Sequence, residues 1–275
     1  MSAIKKLMTR SFLERTVSGI ILVAIALVTI ILGEDILLVT TGAVSLIGFY
    51  ELAKVFGMER KLPGMLGYLA TAVYYALLRM DLSGYLLLFF ILYLIVLLAV
   101  YVFTFPKFHG DEIMAVFFGM FYVVLMLSYI YQVRDMEDGK YVVWLIFLCS
   151  WGCDTCAYLV GVMFGKHKMA PVLSPKKSVE GGIGGVAGAA LLGFIYAYIF
   201  QEHIALEHPL ILFPAVCAVG GLISQIGDLA ASGIKRNHEI KDYGTLIPGH
   251  GGILDRFDSV IITAPIIYYF ITIFG

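Results

Sequence analysis

Apolar runs of ~20 residues, the length with which a helix crosses the hydrocarbon core of a bilayer, recur along this chain from end to end. Nine fit: 16–33, 35–54, 63–80, 84–104, 112–131, 140–163, 182–200, 206–231 and 254–274, the third of them short. Composition agrees. Of 275 residues, 60% are hydrophobic and 14% charged, against roughly 45–50% and about 25% in a soluble domain. The excess is spread along the whole length, so the expected fold class is an all-α polytopic membrane protein with about nine transmembrane helices. The net charge of −1 says little about partners, because in such a chain the placement of charge matters more than its sum.

That placement sets the expected topology. The basic leader "MSAIKKLMTRSFLERT" precedes the first run, no small-residue cleavage site follows it, and more spans come after it. It reads as a cytoplasmic leader on a retained span rather than a signal peptide. With the N-terminus inside, all 19 Lys and Arg except Arg79, Arg134 and Lys140 fall on the cytoplasmic side, as the positive-inside rule requires. The C-terminus is then expected outside, and the two long connections, 164–181 and 232–253, on the cytoplasmic face. Both are rich in Lys, Gly and Pro, so the chemistry is expected there. The chain divides on this reading into residues 1–139, a scaffold of lipid-facing or dimer-forming helices, and residues 140–275, a catalytic part with both loops.

Ionisable residues inside spans cost ~2.5–3.5 kcal/mol each at the bilayer centre and need a partner or a purpose. Asp154 lies within the sixth span, Asp228 near the cytoplasmic end of the eighth, and Asp255 and Asp258 open the ninth. Positions i and i+3 share a helix face, so Asp255 and Asp258 present two carboxylates side by side at a helix N-terminus. The helix dipole offsets only about 0.3–1 kcal/mol of that. Clustered carboxylates call for a divalent cation, and oxygen ligands favour Mg²⁺, Mn²⁺ or Ca²⁺ over zinc. The bland reading is helix capping and interfacial ion pairs. Against it stand Lys176, Lys177, Lys235, Arg236 and Lys241 on the same face, with glycine-rich backbone in "PGHGG" and "EGGIGG". Carboxylate-held metal, cations and exposed N–H groups together describe a phosphate site. His250, between glycines, is a candidate for orienting or contacting a phosphate.

Two other patterns carry less. In "GGIGGVAG", Gly182, Gly184 and Ala187 fit a loose dinucleotide fingerprint, but no strand or βαβ unit precedes them; pairs such as Gly181/Gly185 and Gly184/Gly188 suit close helix packing in lipid. Cys149, Cys153, Cys156 and Cys217 all lie in apolar runs and read as small buried hydrophobes, with no disulfide framework. "CSWGCDTC" has the spacing of an iron–sulfur loop but lies inside a span.

Residues Ser232 to Asp258, "SGIKRNHEIKDYGTLIPGHGGILDRFD", resemble the signature of the phosphatidate cytidylyltransferase (CDP-diacylglycerol synthase) family. The pattern runs S-x-apolar-K-R, four residues, K-D, a small residue, P-x-H-G-G and D-R-x-D. Ser232, Lys235, Arg236, Lys241, Asp242, Gly244, Pro248, His250, Gly251, Gly252, Asp255, Arg256 and Asp258 occupy its fixed positions. "DTCAYLVGVMFGKHKMAPVLSPKKSVEGGIGG" is similar to a second family block, with Ser178 in place of the usual Thr and Cys156 in place of Gly. The likeness covers roughly residues 140 to 275.

The resemblance implies an integral-membrane nucleotidyltransferase of phospholipid biosynthesis that joins CTP to phosphatidate, giving CDP-diacylglycerol and pyrophosphate. It implies attack of a lipid phosphate oxygen on the α-phosphorus of CTP, with no protein nucleophile. The expected metal is Mg²⁺, with Mn²⁺ an alternative and room for a second ion, held by Asp228, Asp255 and Asp258. Arg256 and His250 join these as catalytic candidates. Asp154, Lys176, Lys177, Ser178, Ser232, Lys235, Arg236, Lys241, Asp242, Gly251 and Gly252 are the expected substrate contacts. Expected partners are CTP, phosphatidate, membrane lipids and a second copy of the chain, with no nucleic acid; in a prokaryote the location is the cytoplasmic membrane, with the site on its inner face. A transporter is the competing class, but the charges cluster at one face and no repeat is visible. The longer Asp motif of a CDP-alcohol phosphotransferase is absent.

Overall fold

The computed structural model describes residues 10–275, with side chains from Val17 onward. Each expected apolar run is found on a helix: α1 (Arg10–Leu32), α2 (Glu34–Val55), α3 (Leu62–Arg79), α4 (Leu86–Thr104), α5 (Gly110–Arg134), α6 (Gly139–Phe164), α7 (Val179–Phe200), α8 (Pro209–Asn237) and α9 (Leu254–Phe274). In lipid, backbone polar groups must be bonded within their own segment, which makes the helix the default for such runs. Seven helices among the described residues have the length and apolar character to cross a membrane: α2, α4 with the short turn before it, and α5 to α9. The described part of α1, Val17–Leu32, is shorter, and α3 is not among the seven. Helix starts follow local chemistry. Pro opens α3 and α8, where its missing N–H costs nothing, and the Ser178 hydroxyl accepts the Gly181 N–H at 3.1 Å to cap α7.

Three boundaries differ from the sequence reading. The segment 164–181, expected as a flexible loop, contains an antiparallel hairpin of β1 (Lys168–Ala170) and β2 (Ser174–Ser178), with Lys168 opposite Ser178 and Ala170 opposite Ser174. It is the departure from the all-helical expectation. Helix α8 runs to Asn237, so Ser232, Lys235 and Arg236 lie on its last turns rather than in a loop. Helix α7 begins at Val179, which puts Gly181 and Gly182 in its first turn. The apolar window fixed the spans by hydropathy, whereas polar residues that continue a helix beyond the bilayer are invisible to it.

The chain forms two compact units: Met1–Ser128 with Asp242–Arg256, and Tyr129–Lys241 with Phe257–Gly275. The 242–256 connection packs with the N-terminal helices. In the first unit, Phe49 of α2 is buried, and a side chain on Gly67 of α3 would overlap its ring. Two pairs of buried hydroxyls bond to each other, Ser45 with Tyr75 at 2.7 Å and Tyr74 with Ser128 at 2.8 Å, the usual state of buried polar groups.

The second unit is built on small residues. A Cβ on Gly185 would lie 2.9 Å from that of Ala157, one on Gly188 2.5 Å from that of Cys156, and one on Gly181 2.7 Å from the Ala157 carbonyl oxygen. The glycines of α7 thus serve the close approach of α6, as their spacing suggests. The cysteines are free, and three of the four are buried. Cys153 Sγ donates to the Gly221 carbonyl at 3.4 Å and Cys149 Sγ to that of Val216 at 3.9 Å, a packing role between α6 and α8.

Candidate active site

Asp228, Ser232 and Lys235 recur at i, i+4 and i+7 on α8, which puts them on one helix face. Asp258 of α9 meets that helix near enough for the charges of Asp228, Lys235 and Asp154 to act on its carboxylate. The approach is close because position 227 is glycine, where a Cβ would lie 2.8 Å from the Asp258 carbonyl oxygen. Ser232 Oγ donates to Asp228 Oδ1 at 3.4 Å, and the Ser259 N–H to Asp258 Oδ1 at 2.8 Å. Asp154 arrives from α6, just after the π-helical turn Leu148–Gly152, and its Oδ2 accepts from Ser259 Oγ at 3.5 Å. Lys177, on β2, forms an ion pair with Asp228. Three carboxylates, two ammonium groups and two hydroxyls therefore gather within the second unit.

Strand geometry sorts the two hairpin lysines. Side chains alternate across a strand, so Lys177 turns in to Asp228 while Lys176 faces out and is exposed. Arg236 and Lys241 are exposed too, and the Ser178 hydroxyl accepts the Gly181 N–H to cap α7.

The rest of the signature forms an elaborate connection in the first unit. Pro248 and Gly249 sit at the centre of a turn closed by the His250 N–H on the Ile247 carbonyl at 2.9 Å. With φ +74° at Gly249, this is the type II arrangement for which Pro-Gly is suited. His250 Nδ1 lies 2.9 Å from Ser18 Oγ, which also donates to the Pro248 carbonyl at 2.9 Å. Gly251 has φ +85°, and a Cβ there would lie 2.8 Å from Asp255 Oδ2 and 3.3 Å from the Asp242 Cβ. Asp255 is buried, and its Oδ2 accepts the N–H groups of Tyr243 at 2.8 Å and Gly252 at 2.9 Å. Asp242 is exposed and Arg256 half-buried.

Glu51 is the residue that sequence reasoning missed. It is 3% exposed, and its two oxygens accept the N–H groups of Ile253 at 3.0 Å and Leu254 at 2.9 Å. Side chains on Gly244 or Gly252 would overlap its carboxylate. The signal was present, a carboxylate in an apolar span, three residues before Lys54 in the last turn of α2.

Among the described residues, no three His, Cys, Asp or Glu side chains lie close enough to form a metal cage by themselves. The donor set is nevertheless all oxygen and suits a hard cation. Mg²⁺ usually takes one or two carboxylates and completes its shell with water and substrate phosphates, and the facing pair of Asp228 and Asp258 fits that pattern.

The model of the Cytidylyltransferase family matches residues 13–274. The phosphatidate cytidylyltransferase of Bacillus subtilis is 30% identical over 272 residues, covering 95% of this chain and 98% of that protein. That of Staphylococcus saprophyticus is 39% identical over 146 residues, 53% of this chain and 54% of its own, and that of Staphylococcus aureus 38% over 146 residues with the same shares. The match runs nearly the full length of the chain, through the signature glycines and both groups of carboxylates, and on that basis this chain belongs to the cytidylyltransferase family.

Proposed function

We propose that the chain is a multi-pass membrane phosphatidate cytidylyltransferase, which joins CTP to phosphatidate to give CDP-diacylglycerol and pyrophosphate. A phosphatidate oxygen forms a bond to the α-phosphorus of CTP, the bond from that phosphorus to the bridging oxygen breaks, and pyrophosphate leaves. No protein nucleophile is needed; the task is to bring two polyanions together and neutralise the charge that builds up. The observation that carries this reading is the meeting of Asp228, Asp258 and Asp154 with Lys177 and Lys235. A site with cations alone would bind phosphate, whereas carboxylates among them suit phosphate together with a divalent ion.

When bound, Mg²⁺ supplies Lewis-acid polarisation and charge neutralisation at the phosphates. Asp228 and Asp258 are its proposed ligands. Asp255, whose Oδ2 accepts the N–H groups of Tyr243 and Gly252, is proposed to serve the reaction through its charge and its hold on that backbone. Lys177 and Lys235 hold substrate phosphate oxygens. The proposed topology keeps nine crossings, the N-terminus in the cytoplasm, the C-terminus outside and the substrate loops on the cytoplasmic face. It is supported by the placement of Lys and Arg.

The test is direct. Purified protein in detergent, given CTP, phosphatidate and Mg²⁺, should release pyrophosphate and form a CDP-lipid, with neither product when phosphatidate is withheld. No pyrophosphate from folded protein under those conditions would sink the assignment.

A further inference from the structure

We infer that Glu51 is a positioning residue for nucleotide binding, acting through the connection 243–253 that it holds. The inference rests on the proposed cytidylyltransferase reaction, with His250, Gly251 and Gly252 of this connection taken as substrate contacts, as the family resemblance implies.

A buried carboxylate on an apolar helix is costly without a purpose, and the contacts of Glu51 are specific. Ile253 and Leu254 open α9, so the N–H groups that Glu51 accepts belong to those a helix start leaves without an intrahelical partner. An ordinary cap is local, a Ser, Thr, Asp or Asn at the helix entrance. Here Ile253 stands at the entrance, and the oxygens come from a residue 202 positions earlier in the chain. A local cap would stabilise α9 alone. This one ties the connection to α2.

Asp255 grips the same backbone from the other side. Its Oδ2 takes the N–H groups of Tyr243 and Gly252, so the two carboxylates between them engage four backbone N–H groups, at 243, 252, 253 and 254. Gly252 lies at the centre, donating to Asp255 and leaving no room for a side chain beside Glu51. Gly244 meets Glu51 in the same way. Two of the signature glycines are thus explained by Glu51, which lies outside the signature. The result is a backbone shaped before any ligand arrives, which spares binding the cost of ordering it.

The test compares Glu51→Gln and Glu51→Asp with wild type, using the full-length protein in detergent. Gln replaces one accepting oxygen by an NH₂ that faces a backbone donor; Asp keeps both oxygens but draws them back. Three readouts are taken: KM and kcat for CTP at fixed phosphatidate, the unfolding temperature, and amide hydrogen exchange at Ile253 and Leu254. For Glu51→Gln, the KM for CTP should rise about tenfold or more, as expected when a hydrogen bond to a charged group is lost. The kcat should stay within about threefold, the pattern of lost binding rather than lost chemistry. Exchange at Ile253 and Leu254 should accelerate, and the unfolding temperature should fall by no more than a few degrees, leaving the protein folded at the assay temperature. Glu51→Asp should recover part of the KM. An unchanged KM, or activity that falls only in step with the folded fraction and equally in both variants, overturns the inference. If wild type itself makes no pyrophosphate, the proposed reaction fails separately. Exchange then still decides whether Glu51 holds the backbone, and unchanged protection in Glu51→Gln overturns that as well.

Discussion

Lys177 and Lys176 are neighbours on β2, yet Lys177 is ion-paired with Asp228 of α8 and Lys176 is exposed. The hairpin makes that distinction, because a strand sends consecutive side chains to opposite faces. As a flexible loop the two would have been interchangeable.

Their substitutions should therefore differ. Lys177→Ala is expected to raise the KM for CTP or phosphatidate, or to slow turnover, by about tenfold or more, a loss typical of a charged contact. Lys176→Ala should have the milder effect, and neither should alter the fold. Steady-state kinetics of both variants, with circular dichroism as the folding control, would decide it; equal effects would remove any special role for the Asp228 partner.

Asp228→Asn and Asp258→Asn keep the shape of the side chain but remove a charge from the facing pair. Each should lower turnover about a hundredfold or more, several kcal/mol at ~1.4 kcal/mol per tenfold. Expression and thermal stability should stay near wild type. Titration with Mn²⁺, followed by its paramagnetic signal, should show weaker binding in both. Wild-type turnover in both variants would leave the carboxylates without a catalytic part.

Asp255→Asn separates two roles of one residue. Its amide oxygen can still accept from Tyr243 and Gly252, so backbone protection at those positions should persist. The charge is gone, and activity should fall with it, by about a hundredfold if the carboxylate touches metal. Full activity together with full protection would confine Asp255 to shaping the connection.

Gly185→Val tests the α6–α7 contact. The new side chain has no space beside Ala157 and Cys153, and overpacking costs about 1–3 kcal/mol. A lowered unfolding temperature is expected, while Leu191→Val, at an exposed position on the same helix, should leave it unchanged.

Topology can be read chemically. On a background without the four native cysteines, a single cysteine at His203 should react with an impermeant thiol reagent from outside, and one at Lys176 from the cytoplasmic side only. Cytoplasmic labelling at His203 would break the proposed order of crossings.

Much of this was legible beforehand. Hydropathy located each helix, since length and apolar content are what lipid selects for, and the spacing of Gly181, Gly185, Gly184 and Gly188 gave away their packing. Asp154, Asp228 and Asp258 were picked out by the cost of charge in an apolar run, and Lys177 by its place in a basic connection beside glycine-rich backbone. Other features depend on contacts between distant segments and left little trace. The hairpin hides in a stretch too short and basic to look like strands. Glu51 has a partner two hundred residues away, and the cap that the Ser178 hydroxyl gives to α7 depends on where that helix starts.

The π-helical turn at Leu148–Gly152 has a consequence for how α6 tolerates change in length. A π turn holds one residue more than an α turn, and each residue of an α-helix advances the side chains by about a third of a turn less a little. Asp154 and the stretch that follows are therefore out of phase with Gly139–Phe147, and one surplus residue sets the offset. Removing a single residue there would leave a smoother helix, but one half of α6 would have to rotate against the other. Either the buried side of Val142, Val143 and Ile146 or the aim of Asp154 would be lost. Most helices are damaged by irregularity; this one would be damaged by its repair.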